Sequence, residues 1–408
     1  MKSYLNKTPE GTRDLLFEEC IARRQVEDHL AALFRSCGYN QVVTPSVEYY
    51  NVFSQGSSGL QEEDMYKLTD ANGRLIVLRP DNTLPIARVI SGRLKEAALP
   101  LRLFYCQNIF RRHMLMAGHS DECEQCGVEL IGAGGYRADL EILTLAVQAL
   151  ENVSTEGYKI EIGHAGFYHA LCDLLDTDEE IRQEISGFIE KKNYAALCDL
   201  LDTLPDTEAS QALRRLPRLF GGAEILDEAA QLCTSPKAQE ALEYLRKIYA
   251  DAVRLGAEGS ITIDLGLVHR NNYYTGLVFR GYIPGSGATV LSGGRYDHLL
   301  GEFGNPLPAT GFGVEVDELY KVLLDSDAAP AVHVPDALVF GVEGCELASL
   351  QKLTQLARTG LVCENFTGST REDAVQYARR HRIPKLYTVS PAGWEETEIS
   401  QEVQPCES

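Results

Sequence analysis

Between Glu122 and Gly132 the chain reads ECEQCGVELIG, and in an extended strand Gln125, Gly127 and Glu129 fall on one face. Gly127 carries no side chain, which leaves room for a ligand between two hydrogen-bonding groups. A carboxylate such as Glu129 accepts from a ring N–H, an imidazole's among them, and the Gln125 amide can bond an amino or carboxylate group. The alternative is an amphipathic strand whose polar face meets solvent. The same stretch holds a C-x-x-C, Cys123 to Cys126, with no second pair and no His-x-x-x-His nearby. A zinc site needs about four ligands, so no metal is expected. Neither a G-x-x-x-x-G-K-[ST] loop nor a G-x-G-x-x-G after a strand occurs, and the glycine-rich GSGATVLSGGRYD (Gly285 to Asp297) fits hairpin turns better than a phosphate cradle.

Those residues need elements to hold them. Ile21, Val26, Leu30, Leu33 and Phe34 recur at helical spacing and Gly38 follows, so a helix is predicted from Asp14 to Cys37. NQVVTPSVEYY (residues 40–50) is a β-type segment interrupted by Pro45. RLIVLRPDNT, LRLFYCQNIFRR and ECEQCGVELIG are short, β-branched or aromatic runs bounded by turn residues. Ala138 to Asn152 returns to helix, with Leu140, Leu143, Ala146 and Leu150 on one face, and the strand KIEIGH follows. From about Phe167 to Leu255 the pattern is helical and strongly charged. It interrupts a strand-rich core that resumes at SITIDLGLVH, so a helical insertion is expected. Beyond a linker-like DAAPAVHVP (Asp327 to Pro335), a β-α-β-α-β run predicts a small, mostly parallel sheet that stops after its third strand and trails into the acidic GWEETEISQEVQPCES.

A chain of 408 residues has room for two or three domains, and 44% hydrophobic with 24% charged residues is ordinary for a globular protein. No run of about 18 apolar residues occurs and MKSYLNKTPEGTRD lacks an apolar signal region, so a cytoplasmic protein is expected. Eleven scattered cysteines, largely inside apolar patterns, read as reduced, buried thiols. The net charge is 38 − 59, or −21. Nucleic acid requires a basic footprint, and the densest basic stretch, RRLPR at Arg214 to Arg218, reads as a solvated helix end. The balance argues against tRNA as a partner.

Five motifs in order resemble histidyl-tRNA synthetase, a class II aminoacyl-tRNA synthetase, across about 300 residues. RPDNT (Arg79 to Thr83) resembles the family's R-P-[DE]-x-T, Phe110-Arg111 its motif 2 Phe-Arg, and QCGVELIG the strand after the motif 2 loop. YYTG (Tyr273 to Gly276) and SGGRYDHL (Ser292 to Leu299) resemble its two histidine-specific signatures. TPEGTRD and GYNQVVTPSVEYY, the latter resembling motif 1, add to the likeness. The resemblance implies that Asp81 and Thr83 hold an α-amino group and that Arg111 grips an α-carboxylate through its forked donors. It implies that Gln125 and Glu129 contact bound histidine, that Tyr273 and Tyr274 belong to the pocket with Tyr274 at the imidazole, and that Tyr296 lines it. Motif 1 implies a dimer surface.

The departures all fall on residues that would handle ATP. The family's F-R-x-E-x-x-x-x-G-R-x-R-E-F-x-Q stands here as FRRHMLMAGHSDECEQ, with His113 for the glutamate, His119 and Asp121 for two arginines and Cys123 for the phenylalanine. R-G-L-D-Y-Y becomes HRNNYY, with His269 for its arginine. The motif 3 ending G-x-E-R-L becomes EVDEL, with Glu318 for its arginine. A cation about 4 Å from a phosphate contributes roughly 4 kcal/mol at an effective dielectric near 20, and a glutamate there adds repulsion of similar size. The resemblance therefore implies a non-catalytic, histidine-sensing paralogue, of the kind that serves as regulatory subunit to a short-form ATP phosphoribosyltransferase catalytic subunit in histidine biosynthesis. Dimers within a hetero-oligomer, L-histidine as feedback effector, no tRNA, no membrane and no cofactor are expected. The alternatives are an active histidyl-tRNA synthetase and a synthetase-like accessory protein with another partner. The expected fold class is α+β. Residues 1–166 and 256–326 would form a core of mainly antiparallel sheet flanked by helices, 167–255 a helical insertion, and 336–408 a truncated α/β domain resembling the anticodon-binding domain.

Overall fold

The computed structural model describes residues 4–54, 62–112, 120–153, 157–175, 177–268 and 274–400. The chain divides into two compact units, Met1–Pro330 and Ala331–Ser408. In the first, the strands are β1 (Asn40–Gln41), β2 (Val47–Tyr49), β3 (Lys67–Thr69), β4 (Leu75–Leu78), β5 (Leu101–Phe110) and β6 (Glu122–Ile131). They continue with β7 (Lys159–His164), β8 (Phe220–Gly221), β9 (Ile261–Asp264), β10 (Leu277–Tyr282), β11 (Leu291–Arg295) and β12 (Ala309–Glu315). Among the described residues, nine of them form one sheet in the order β1-β5-β6-β12-β11-β10-β7-β9-β8. Its neighbours run antiparallel except β1 with β5 and β7 with β9. The fold is α+β, as expected.

One face of this sheet is closed by helices. The helix Glu18–Ser36 buries Ala22, Val26, Leu30, Ala31 and Phe34, an apolar stripe at helical spacing. The Phe34 ring lies 5.9 Å from those of both Phe104 and Phe312. The helix begins four residues later than the periodicity predicts, because Phe17 holds a left-handed φ of 49° at its N-cap and breaks the turn. Gly38, at φ 84°, follows its C-terminus. Helix Tyr136–Glu151 covers the same face through Ile142, Leu143, Ala146 and Leu150.

The opposite face carries the site. There the helix Thr83–Gly92 buries Leu84, Ile86, Ala87 and Ile90 against Leu103, Tyr105, Ile131 and Tyr296. Beside it lies a three-stranded sheet, β2-β4-β3. From Ala165 to Ala252 the regular elements of the described chain are helices except for β8, which pairs with β9 at the sheet edge. Two residues are too few to show a strand period, so the sequence hides that edge. The last helix of this region, Pro236–Ala252, is fastened to the core by a buried polar knot. Tyr244 donates to Asp139 at 2.5 Å, and Arg295 pairs with Asp139 at 2.7 Å and Asp297 at 2.9 Å.

The second unit holds β13 (Ala337–Gly341), β14 (Cys363–Asn365), β15 (Lys385–Ser390) and β16 (Gly393–Glu398), in the order β14-β13-β15-β16. The three parallel strands and the two helices between them stand as predicted. The expectation that the sheet stops there is corrected: GWEETE returns as an antiparallel edge strand. Its glutamates hide the pattern, yet an edge strand tolerates them. Glu396 takes Lys385 at 2.8 Å and the Tyr387 hydroxyl at 2.7 Å, and Lys352 sits 3.4 Å above the Trp394 ring. A second correction concerns cysteines: Cys20 and Cys37 are exposed, on the solvent side of the first helix and at its C-cap. Among the described residues, no helix is long and apolar enough to cross a membrane.

Candidate functional site

Strand register builds the site. Across β5, β6, β12, β11, β10 and β7, one row of paired residues is Leu103, Glu129, Gly311, Gly294, Val278 and Gly163. The next is Tyr105, Gly127, Gly313, Ser292, Arg280 and Glu161, and beside it stand Gln107, Gln125 and Glu315. Glycines thus pave the centre of this face, and longer side chains from the flanking strands lie down across them. A Cβ on Gly313 would sit 2.8 Å from the Gln125 amide carbon, and one on Gly294 would sit 2.7 Å from the Tyr274 ring. Gln125 and Glu129 are both buried, at 6% and 2% exposure, which excludes a solvated polar face.

Every expected residue within the described chain reaches this trough. Glu129 accepts from the Thr83 hydroxyl at 2.7 Å through Oε1 and from the Tyr296 hydroxyl through Oε2. Burial pushes its carboxyl up to about 8, with the two hydroxyl bonds opposing. Asp81 Oδ1 accepts from the Leu84 N–H at 2.9 Å, so the start of helix Thr83–Gly92 fixes it. Burial raises its carboxyl too, against Arg111 and the helix-start N–H groups. Arg111 donates Nε to the Pro80 carbonyl at 2.6 Å and brings Nη2 to 3.9 Å from Asp81 Oδ2. Burial, Glu129 and Asp81 together raise the Tyr274 hydroxyl, so this phenol stays a donor. Tyr273, His113, His119 and His269 lie outside the described residues.

Sequence reasoning missed the frame that holds Gln125. Its Oε1 accepts from Tyr105 at 3.0 Å and Asn82 at 3.4 Å, while its Nε2 donates to Glu315 at 2.9 Å. Only cross-strand register reveals Tyr105 and Glu315, because each is opposite a recognised residue on a different strand. Arg79 is buried as well, but its guanidinium is spent on the carbonyls of Thr44, Pro45 and Asn108 and holds the loop before β2. Of the C-x-x-C pair, Cys126 packs under the first helix while Cys123, three residues away on β6, projects to the opposite face. Among the described residues, no cluster of His, Cys, Asp or Glu could hold a metal.

The trough offers buried carboxylates, hydroxyl donors, one forked cation and an aromatic wall, which suits a zwitterion with a polar ring. Among the described residues it sets no nucleophile against a base. Sheet and site together define the class II histidyl-tRNA synthetase type: a family model described as histidyl-tRNA synthetase matches residues 11–319. A solved histidyl-tRNA synthetase from Nostoc sp. PCC 7120, 20% identical, shares the fold with a TM-score of 0.76 over 96% of this chain and 97% of that one. An ATP phosphoribosyltransferase regulatory subunit/histidyl-tRNA synthetase from Bacillus halodurans C superposes with a TM-score of 0.80 at 33% identity, covering 92% of this chain and 97% of that one. The ATP phosphoribosyltransferase regulatory subunit of Clostridium acetobutylicum is 36% identical over 391 residues, 95% of either chain. That of Bacillus cereus is 36% identical over 387 residues, 94% of this chain and 91% of the relative. The chain belongs to the histidyl-tRNA synthetase-like family of ATP phosphoribosyltransferase regulatory subunits, and its role is regulatory, not catalytic.

Proposed function

We propose that this chain binds L-histidine at Asp81, Thr83, Arg111, Gln125, Glu129, Tyr273, Tyr274 and Tyr296, and conveys feedback inhibition to a short-form ATP phosphoribosyltransferase catalytic subunit in the cytoplasm. The observation that carries this reading is the pairing of a trough that gathers Asp81, Thr83, Arg111, Gln125, Glu129, Tyr274 and Tyr296 with acids at positions where adenylation needs cations. Glu318 is engaged by Lys321 at 2.8 Å, and Asp121 is held by the Tyr66 hydroxyl. Binding would bias the complex toward an inhibited state, a coupling of typically about 1–3 kcal/mol between two sites. The division into a core of residues 1–166 and 256–326, an insertion of 167–255 and a C-terminal domain of 336–408 is part of the same reading.

Self-pairing belongs to it too. β2, β4 and β3 bury Glu48 and Val77 inward and turn Val47, Tyr49, Leu68, Ile76 and Leu78 outward, an apolar face suited to a second copy of this chain. The test of the regulatory reading is phosphoribosyl-ATP formation by the short catalytic subunit, with and without this chain, across a histidine titration. Activity that requires the chain and falls with histidine supports it. Activity indifferent to the chain, with histidine-dependent ATP–pyrophosphate exchange by the chain alone, would replace it with the synthetase alternative.

A further inference from the structure

Glu315 stands where β12 ends and the helix Val316–Leu324 begins, yet its side chain makes no cap on that helix. It turns back over the trough and takes the Gln125 amide at 2.9 Å through Oε1. Arg111 is the cation that acts on it, while Asp317 and Glu318 repel it from the first turn of its own helix. Arg111 thus acts on two carboxylates, Asp81, 3.9 Å from its Nη2, and Glu315. The alignment that sets Glu318 at the arginine of G-x-E-R-L also sets Glu315 at its glycine. A position that carries no side chain in the motif here carries a carboxyl, turned toward Gln125.

We propose that Glu315 is a specificity-determining residue: by holding Gln125 and standing beside Arg111, it admits a free amino acid and rejects one whose carboxyl bears a phosphoryl or adenylyl group. The proposal rests on the amino-acid reading of the trough. A free ligand carboxylate carries a single charge that Arg111 can share. An acyl phosphate extends further negative charge past Arg111 toward Glu315, Glu318 and Asp317, at a helix start that would otherwise favour an anion. Rejection then comes from an added repulsive group as well as from missing cations, which is how binding sites commonly discriminate.

The experiment is calorimetric titration of the full chain with two probes. One is L-histidine. The other is 5′-O-[N-(L-histidyl)sulfamoyl]adenosine, a stable mimic with an anionic linker beside the acyl carbon. The quantity read is the ratio of their dissociation constants in the wild type and in Glu315→Gln, Glu315→Gly and Glu315→Asp, each checked for folding by its melting curve. The wild type should prefer histidine, Glu315→Gln and Glu315→Gly should lower that preference by about tenfold or more, and Glu315→Asp should keep most of it. An unchanged ratio in the Gln and Gly variants overturns the proposal, as does an equal loss in the Asp variant, which would make shape and not charge the cause. If the wild type binds no histidine, the reading beneath fails and this one with it; intact histidine binding with an unmoved ratio sinks this one alone.

Discussion

At the scale of single residues, Glu129 is a buried carboxylate whose bonded partners, Thr83 and Tyr296, are neutral hydroxyls. Burial makes the folded protein hold its proton up to about 8, against an ordinary 4.5. The folded state therefore binds more protons than the unfolded one between those values, and stability falls as pH rises through that window. Asp81 and Glu315 shift the same way and add to the slope. The melting temperature of the ligand-free chain should thus drop from about pH 5 to about pH 8, and Glu129→Gln should flatten most of that fall. A wild-type profile that rises across the window would contradict the burial argument. The same residue answers to function: Glu129→Ala should weaken histidine binding and relieve histidine inhibition of the assembled transferase, while co-purification with the catalytic subunit stays intact. Inhibition that is unchanged in that variant would remove Glu129 from the sensor.

At the scale of elements, the glycine-paved strands are as specific as the side chains they carry. Gly313 lies under Gln125, and a Cβ there would sit 2.8 Å from the Gln125 amide carbon. Gly313→Ala should therefore cost about 1–3 kcal/mol in urea denaturation, as overpacking does, and should weaken histidine binding by displacing that amide. A variant as stable as wild type with unaltered affinity would mean that the floor has slack. The polar knot between helices makes a second case. Asp139→Ala leaves Arg295 buried with Asp297 at 2.9 Å as its one ion-pair partner among the described residues, so a loss near the lower end of about 3–5 kcal/mol is expected, and a melting curve within a degree of wild type would refute it. Much of this was legible in the sequence. Alternation put Gln125, Gly127 and Glu129 on one face, and helical spacing found the buried stripe of the first helix. What stayed hidden depended on register between strands distant in sequence. Tyr105 and Glu315 join the site only because β5 and β12 flank β6. β8 was too short to show a period, and β16 was disguised by glutamates that an edge strand tolerates.

At the scale of the whole molecule, a net charge of −21 sets two copies of this chain against each other, so self-association must be carried by apolar contact. On the proposed pairing, the outward face of β2, β4 and β3 would supply it: Val47, Tyr49 and Leu68 are exposed by 44%, 47% and 45%, in register with Ile76 and Leu78. Leu68, on β3 and 45% exposed, is the residue to probe. Leu68→Asp adds a charge to that patch beside Ile76, where burial on pairing would leave it without a partner. Sedimentation velocity at micromolar concentration should then show the wild type as a dimer and Leu68→Asp as a monomer with the wild-type melting temperature. Raising the salt should strengthen the wild-type dimer, because screening weakens repulsion between like-charged subunits and leaves apolar contact in place. A dimer that dissociates as salt rises would instead be held by ion pairs, and a Leu68→Asp variant that still sediments as a dimer would place the pairing surface elsewhere.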